Sequence, residues 1–156
     1  MANDQSLRNH LVKYIDWGNA HLKFEDAVKD FPPTLRGVRP SGAPHSAWEL
    51  LEHLRLAQQD ILAFARDARH VSPEFPDGYW PATEAPPSEA AWDESVAAFG
   101  ADLRAFAALI ADESLDLHAP IPHGDGQTVL REALLAADHN AYHLGQLVMV
   151  RRMLGG

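Results

Sequence analysis

Ser46-Ala47-Trp48-Glu49-Leu50-Leu51-Glu52-His53-Leu54 opens as a helix opens. The Ser46 hydroxyl is spaced to accept from the Glu49 amide while the Glu49 carboxylate reaches back to the Ser46 amide, the reciprocal pairing of a capping box. From there Leu50, Leu54, Ile61 and Ala65 recur with helical spacing toward Arg69. Three further segments carry the same periodicity, and Pro/Gly-rich stretches separate them. The first runs from Gln5 to Phe31 with Leu7, Leu11, Ile15 and Leu22 along one stripe, and Pro32-Pro33 stops it. The third opens near Ser88, with Trp92, Val96, Phe99, Leu103, Phe106 and Ile110 stepping by threes and fours, an ordinary core stripe. The last begins near Thr128 after Gly124-Asp125-Gly126 and continues through Leu130, Leu134, Leu144, Leu147 and Leu154. Alternating Val/Ile/Thr runs are missing, so the chain reads as all-α, a four-helix bundle with long crossover loops.

The 156 residues suit one domain spanning 1–156, long enough to bury a core without staples. With no cysteine, a thiolate metal site or cysteine nucleophile is excluded, and any metal must be held by imidazole and oxygen. A net charge of -9 with scattered arginines opposes phosphate backbones, so no nucleic-acid partner is expected. The N-terminus has no basic region followed by an apolar run, and no apolar run approaches a membrane span. A soluble, cytoplasmic protein with no membrane partner is the expectation.

His53 interrupts the leucine-rich arc of the second helix, sharing a face with Leu50, Ala57, Ile61 and Phe64. His139 and His143 stand four residues apart in the last helix, on a face with Ala136, Leu147, Val150 and Leu154. All three should point inward. Each alone also reads as a buried ring hydrogen-bonded to a carbonyl or carboxylate. Burying three imidazoles together is costly unless they share a partner, and a divalent cation is such a partner. His10, His21 and His70 read as surface residues, and His45 as lying outside the helix ahead of its cap. His118 and His123 flank Ala119-Pro120-Ile121-Pro122 in a loop that covers one end of the bundle or contacts the site. Glu49 has its capping role, while Glu52 and Asp138 are rotated about a quarter turn from the candidate ligands. Tyr142 reads equally as a ligand contact or a packing aromatic. The loop from Ser72 to Pro87, with Phe75, Tyr79 and Trp80, reads as a lid folded onto the bundle or as a substrate contact. Arg151 and Arg152 in the last turn offset the helix dipole.

The run from His45 through His53, the Tyr79-Trp80-Pro81 loop, Arg131-Glu132, and Asp138 through Gln146 together span most of the chain, and with them the sequence resembles the DinB family of bacterial damage-inducible, metal-binding four-helix bundles. The resemblance implies that His53, His139 and His143 bind a divalent metal and that the protein is a homodimer. It also brings in relatives that use low-molecular-weight thiols, the bacillithiol transferases and mycothiol-dependent maleylpyruvate isomerase.

Three imidazoles leave a coordination position open, as in catalytic zinc sites, for a water acidified to a pKa of about 7 or for a thiolate. Zinc or nickel suits the donors first, and iron also. The leading expectation is a metal-dependent enzyme acting on a small molecule, either a hydrolase or a thiol transferase. Arg36, Arg39 and Arg131 are candidates to hold an anionic thiol cofactor. The alternatives are a non-catalytic metal-binding stress-response protein and a metal-free dimeric interaction module. No general base and no substrate can be read from the sequence.

Overall fold

The computed structural model of the chain describes residues 2–16 and 20–155. Its helices are α1 (Ala2–Ile15), α2 (Phe24–Val28), α3 (Ala47–Arg66), α4 (Glu89–Ala111) and α5 (Val129–Met153), with short 3-10 turns at Pro33–Leu35 and Asp77–Tyr79. The described residues form no strand, only an isolated bridge between Pro120 and Thr128. α3 packs against α4 and α5, and α1 closes the ring by packing on the same two helices. The four long helices therefore make the expected bundle. None of the described helices is long and apolar enough to cross a membrane.

The capping box at Ser46 forms as the sequence reading anticipates: Glu49 N–H donates to Ser46 Oγ at 3.2 Å, and Ser46 N–H donates to Glu49 Oε2 at 2.8 Å. Ser88 and Thr128 cap α4 and α5 through the N–H groups of Ala91 and Arg131. Because α3 touches two neighbours, it buries more than one stripe: Leu50, Leu51, Leu54, Ile61 and Leu62 are all in the core. Within that core, Phe24 meets Phe99 at 4.3 Å between ring centroids and Phe31 meets Trp92 at 5.1 Å.

The first segment differs from the single helix expected over Gln5–Phe31. It breaks after Ile15 and restarts at Phe24, with Lys23 extended at the N-cap; residues 17–19 of the expected span lie outside the described residues. Register supplies the reason. Continuing α1 would turn Phe24, Ala27, Val28 and Phe31 about half a turn away from Ile15. The break brings all four into the core and leaves Leu22, expected on the inner stripe, 44% exposed. α3 ends at Arg66 rather than Arg69. Leu134 is exposed on α5, and on α4 Ser95 is buried where Val96 is only half-buried.

Two arginines tie ends of elements together. Buried Arg8 pairs with Asp4 at 2.8 Å and donates to the carbonyls of Ile110, Asp112 and Leu115, where α4 runs out of internal N–H donors. Arg151 donates to the carbonyls of Ala27 and Lys29 at 2.8 and 2.7 Å, so it caps α2 from α5 in addition to lying at the end of its own helix. Arg8→Ala strands the buried Ile110 carbonyl and two part-buried ones and is expected to cost about 2–4 kcal/mol. Urea unfolding of the variant beside the parent protein measures this directly.

Candidate metal centre

α3 and α5 meet along their length, and their contact brings His53 of α3 against His139 and His143 of α5. His53 Nε2 lies 3.0 Å from His143 Nε2 and 3.0 Å from His139 Nε2. Among the described residues these three form the group that could hold a metal ion, with ligand atoms all within 4.8 Å of one another. His53 is buried, and the two α5 rings are half-buried.

The far side of each ring decides what the converging nitrogens can do. His53 Nδ1–H donates to the Tyr79 carbonyl at 2.8 Å, and His143 Nδ1–H donates to Gln146 Oε1 at 2.8 Å. A neutral imidazole with its proton on Nδ1 presents a bare lone pair at Nε2. Two such lone pairs therefore face one another at 3.0 Å. Without a cation between them that contact is repulsive. Two nitrogens each ~2.1 Å from one cation stand about 3.0–3.4 Å apart for ligand angles from about 90° to tetrahedral, so contacts of this length are compatible with a shared divalent ion. His139 Nδ1 is buried without a hydrogen-bond partner.

The electrostatics favour the neutral, ligating form. Burial, helped by the neighbouring imidazoles, pushes His139 and His143 down to about 4. Burial also lowers His53, against the Tyr79 carbonyl that favours its protonated form.

The loop between α3 and α4 is part of the site. Trp80 stacks on His53 with ring centroids 3.9 Å apart and planes 3° from parallel, and His45 stacks on Trp80 at 4.1 Å. Tyr79, whose carbonyl orients His53, is anchored in turn: its hydroxyl donates to Asp60 Oδ2 at 2.7 Å. Burial and the Asp60 carboxylate push that phenol up to about 12. His70 Nε2–H donates to the other oxygen of Asp60 at 2.6 Å, so His70 is a loop anchor rather than a surface residue. The turn is tight; a Cβ on Gly78 would come within 2.7 Å of the Pro73 Cβ. Phe75, in contrast, is 85% exposed and packs little of itself on the bundle.

Other candidates fall elsewhere. His123 Nε2–H donates to the Phe64 carbonyl at 2.7 Å, tacking the loop before α5 to the end of α3, and His118 is exposed. Glu52 is buried, held by Arg55 at 2.8 Å and by the Ser95 hydroxyl. Asp138 faces solvent, and Tyr142 is 65% exposed with its ring edge-on to His143. The three arginines considered for an anionic cofactor have other partners. Arg39 binds Glu49 and Glu84, Arg36 covers the Trp92 ring, and Arg131 pairs with Glu132.

Sequence reasoning missed the roles of His45, Gln146 and the buried pair Gln58–Asn140, whose Asn140 Nδ2 donates to Gln58 Oε1 at 2.6 Å. Gln146 was findable, because it stands three residues after His143 and so beside it on a helix. Gln58 was findable as the polar member of the Leu51-Leu54-Gln58-Leu62 stripe. His45 had no such signal, since it meets Trp80 from one loop to another.

An all-helical bundle with three imidazoles converging between two of its helices defines a class compatible with metal binding. A family model described as the DinB superfamily matches residues 20–147, and the chain belongs to that superfamily. No curated protein and no solved structure gave a significant match.

In metal-free protein, His139 and His143 titrate near 4 when folded and near 6.5 when unfolded. The unfolded chain therefore takes up protons first. Stability is full above about pH 6.5 and falls as pH drops toward 4. Thermal melts of chelator-treated protein between pH 7 and 4 should show this loss. A flat melting temperature across that window contradicts it.

Proposed function

We propose that His53, His139 and His143 hold one divalent cation through their Nε2 atoms and that the protein is a metal-dependent enzyme acting on a small molecule. The observation that carries this reading is the pair of Nε2 lone pairs set 3.0 Å apart by Nδ1–H bonds on the far side of each ring. Membership of the DinB superfamily supports it. When bound to three imidazoles, such an ion offers an open position that acidifies a water or accepts a thiolate. Zinc and nickel suit the all-nitrogen donor set best, with iron next.

The chain's own residues have definable tasks around that position. Tyr79 and Gln146 fix the tautomers of His53 and His143, and Trp80 covers the face of His53. Of the two reactions considered, hydrolysis is favoured over thiol transfer. The absence of cysteine means that any sulfur must come from a cofactor, and the arginines considered for holding an anionic thiol are engaged by Glu49, Glu84, Glu132 and Trp92. The homodimer implied by the family resemblance belongs to this reading and is tested by sedimentation.

Untagged protein purified without chelators is expected to carry about one divalent ion per chain, and His139→Ala or His143→Ala to lose it. Elemental analysis checks both, and full occupancy in either variant removes the site. Assays of ester and amide hydrolysis and of thiol addition, run with the metal so identified, then separate the two reactions. Acid should release the ion as the imidazoles protonate, which a pH series of metal content measures.

A further inference from the structure

Beside the histidine cluster lies a groove of about 230 Å³, bordered by α5 and the segment leading into α3. Leu50, Met149 and Met153 give it apolar walls, and among the described residues no lysine, arginine or carboxylate lines it. His45 and Gln146 supply polar groups at its edge. Both are supports of the cluster: Gln146 orients His143, and His45 stacks on the Trp80 that covers His53. With its Oε1 committed to His143, Gln146 still has an amide NH₂ to donate.

Gly145 carries the second observation. It lies in the interior of α5, where glycine destabilises a helix relative to alanine. Close packing does not require it, because a Cβ there would meet nothing within 4 Å. Its φ is not in the positive region either. What glycine leaves at this position is the open space of the groove. Two methionines on the same helix add a wall of adaptable shape.

We propose that this groove binds the apolar group of an uncharged carbonyl compound, with the amide of Gln146 and the ring of His45 receiving the carbonyl end. The volume is below the usual small-molecule range of about 300–1,000 Å³, which suits part of a ligand whose remainder extends toward the cluster. A charged carboxylate or phosphate in the groove would lose its hydration with no counter-charge to replace it. As a substrate site, the groove rests on the metal-centre reading above.

The test uses the uncharged fluorophore N-phenyl-1-naphthylamine with purified full-length protein, and octanamide and octanoate as competitors. Saturable uptake near one per chain is expected, with octanamide displacing the probe at least about tenfold better than octanoate. Gly145→Leu, which fills the groove, should weaken uptake about tenfold or more. Gly145→Ala, whose methyl enters open space, should keep the fold and weaken uptake less, so the series stays informative if the leucine variant folds poorly. Circular dichroism and metal content are followed for each protein. Equal uptake by all three proteins, or equal displacement by the two competitors, overturns the proposal. So does a wild-type dimer that takes up no probe and dissociates in Gly145→Leu, since a second copy then covers the groove. Metal at full occupancy with no probe uptake sinks the groove and leaves the metal centre standing. Graded uptake by protein that holds no metal sinks the metal centre, and with it the groove's assignment as a substrate site.

Discussion

Everything chemical in this molecule depends on where two protons sit. A carbonyl behind His53 and an amide oxygen behind His143 each take an Nδ1–H, which leaves bare lone pairs aimed at one another across the α3–α5 seam. Burial keeps those rings neutral, so the repulsion is not relieved by protonation near neutral pH. The bundle can hold the pair in register because α3 and α5 form its most extensive contact, with the Asn140–Gln58 hydrogen bond inside the same seam. A few tenths of an ångström of slack there would let the rings part. The buried Leu50, Leu51 and Leu54 of α3 and Leu144 and Leu147 of α5 restrict it.

The remaining buried charges belong to architecture. Burial works to raise the carboxyl of Glu49, yet Arg39 and the Ser46 amide hold it below the ordinary range as it caps α3. Glu52 is held down in the same way by Arg55 and Ser95 where α3 meets α4. Neither carboxylate turns toward the imidazoles, so the cluster remains an all-nitrogen donor set. That separation follows from helical geometry, because residues adjacent to a ligand in sequence project about 100° away from it.

Much of this was legible before any coordinates. The capping box, the α4 stripe and the inward faces of His53, His139 and His143 follow from spacing, and each lies within one continuous helix, where period alone sets direction. What escaped was set by contacts between elements. The break after Ile15 depends on Phe24 and Phe31 finding Phe99 and Trp92, although the half-turn register conflict was already written in the sequence. His45 reaching Trp80, and Asp60 collecting both Tyr79 and His70, join loops to one another or to a helix, and no periodicity connects such residues.

The anchoring of Tyr79 by Asp60 has one more consequence. The backbone carbonyl that orients His53 belongs to a turn whose own position is set two helical turns further along α3, so the crossover between α3 and α4 and the imidazole cluster are thermodynamically linked. Linkage of this kind is reciprocal. An occupant that grips the rings quiets the crossover, and a substitution in the crossover retunes the grip without touching a ligand. Substitution in that connecting segment is then a route by which the cluster's affinity changes while its three histidines stay unchanged.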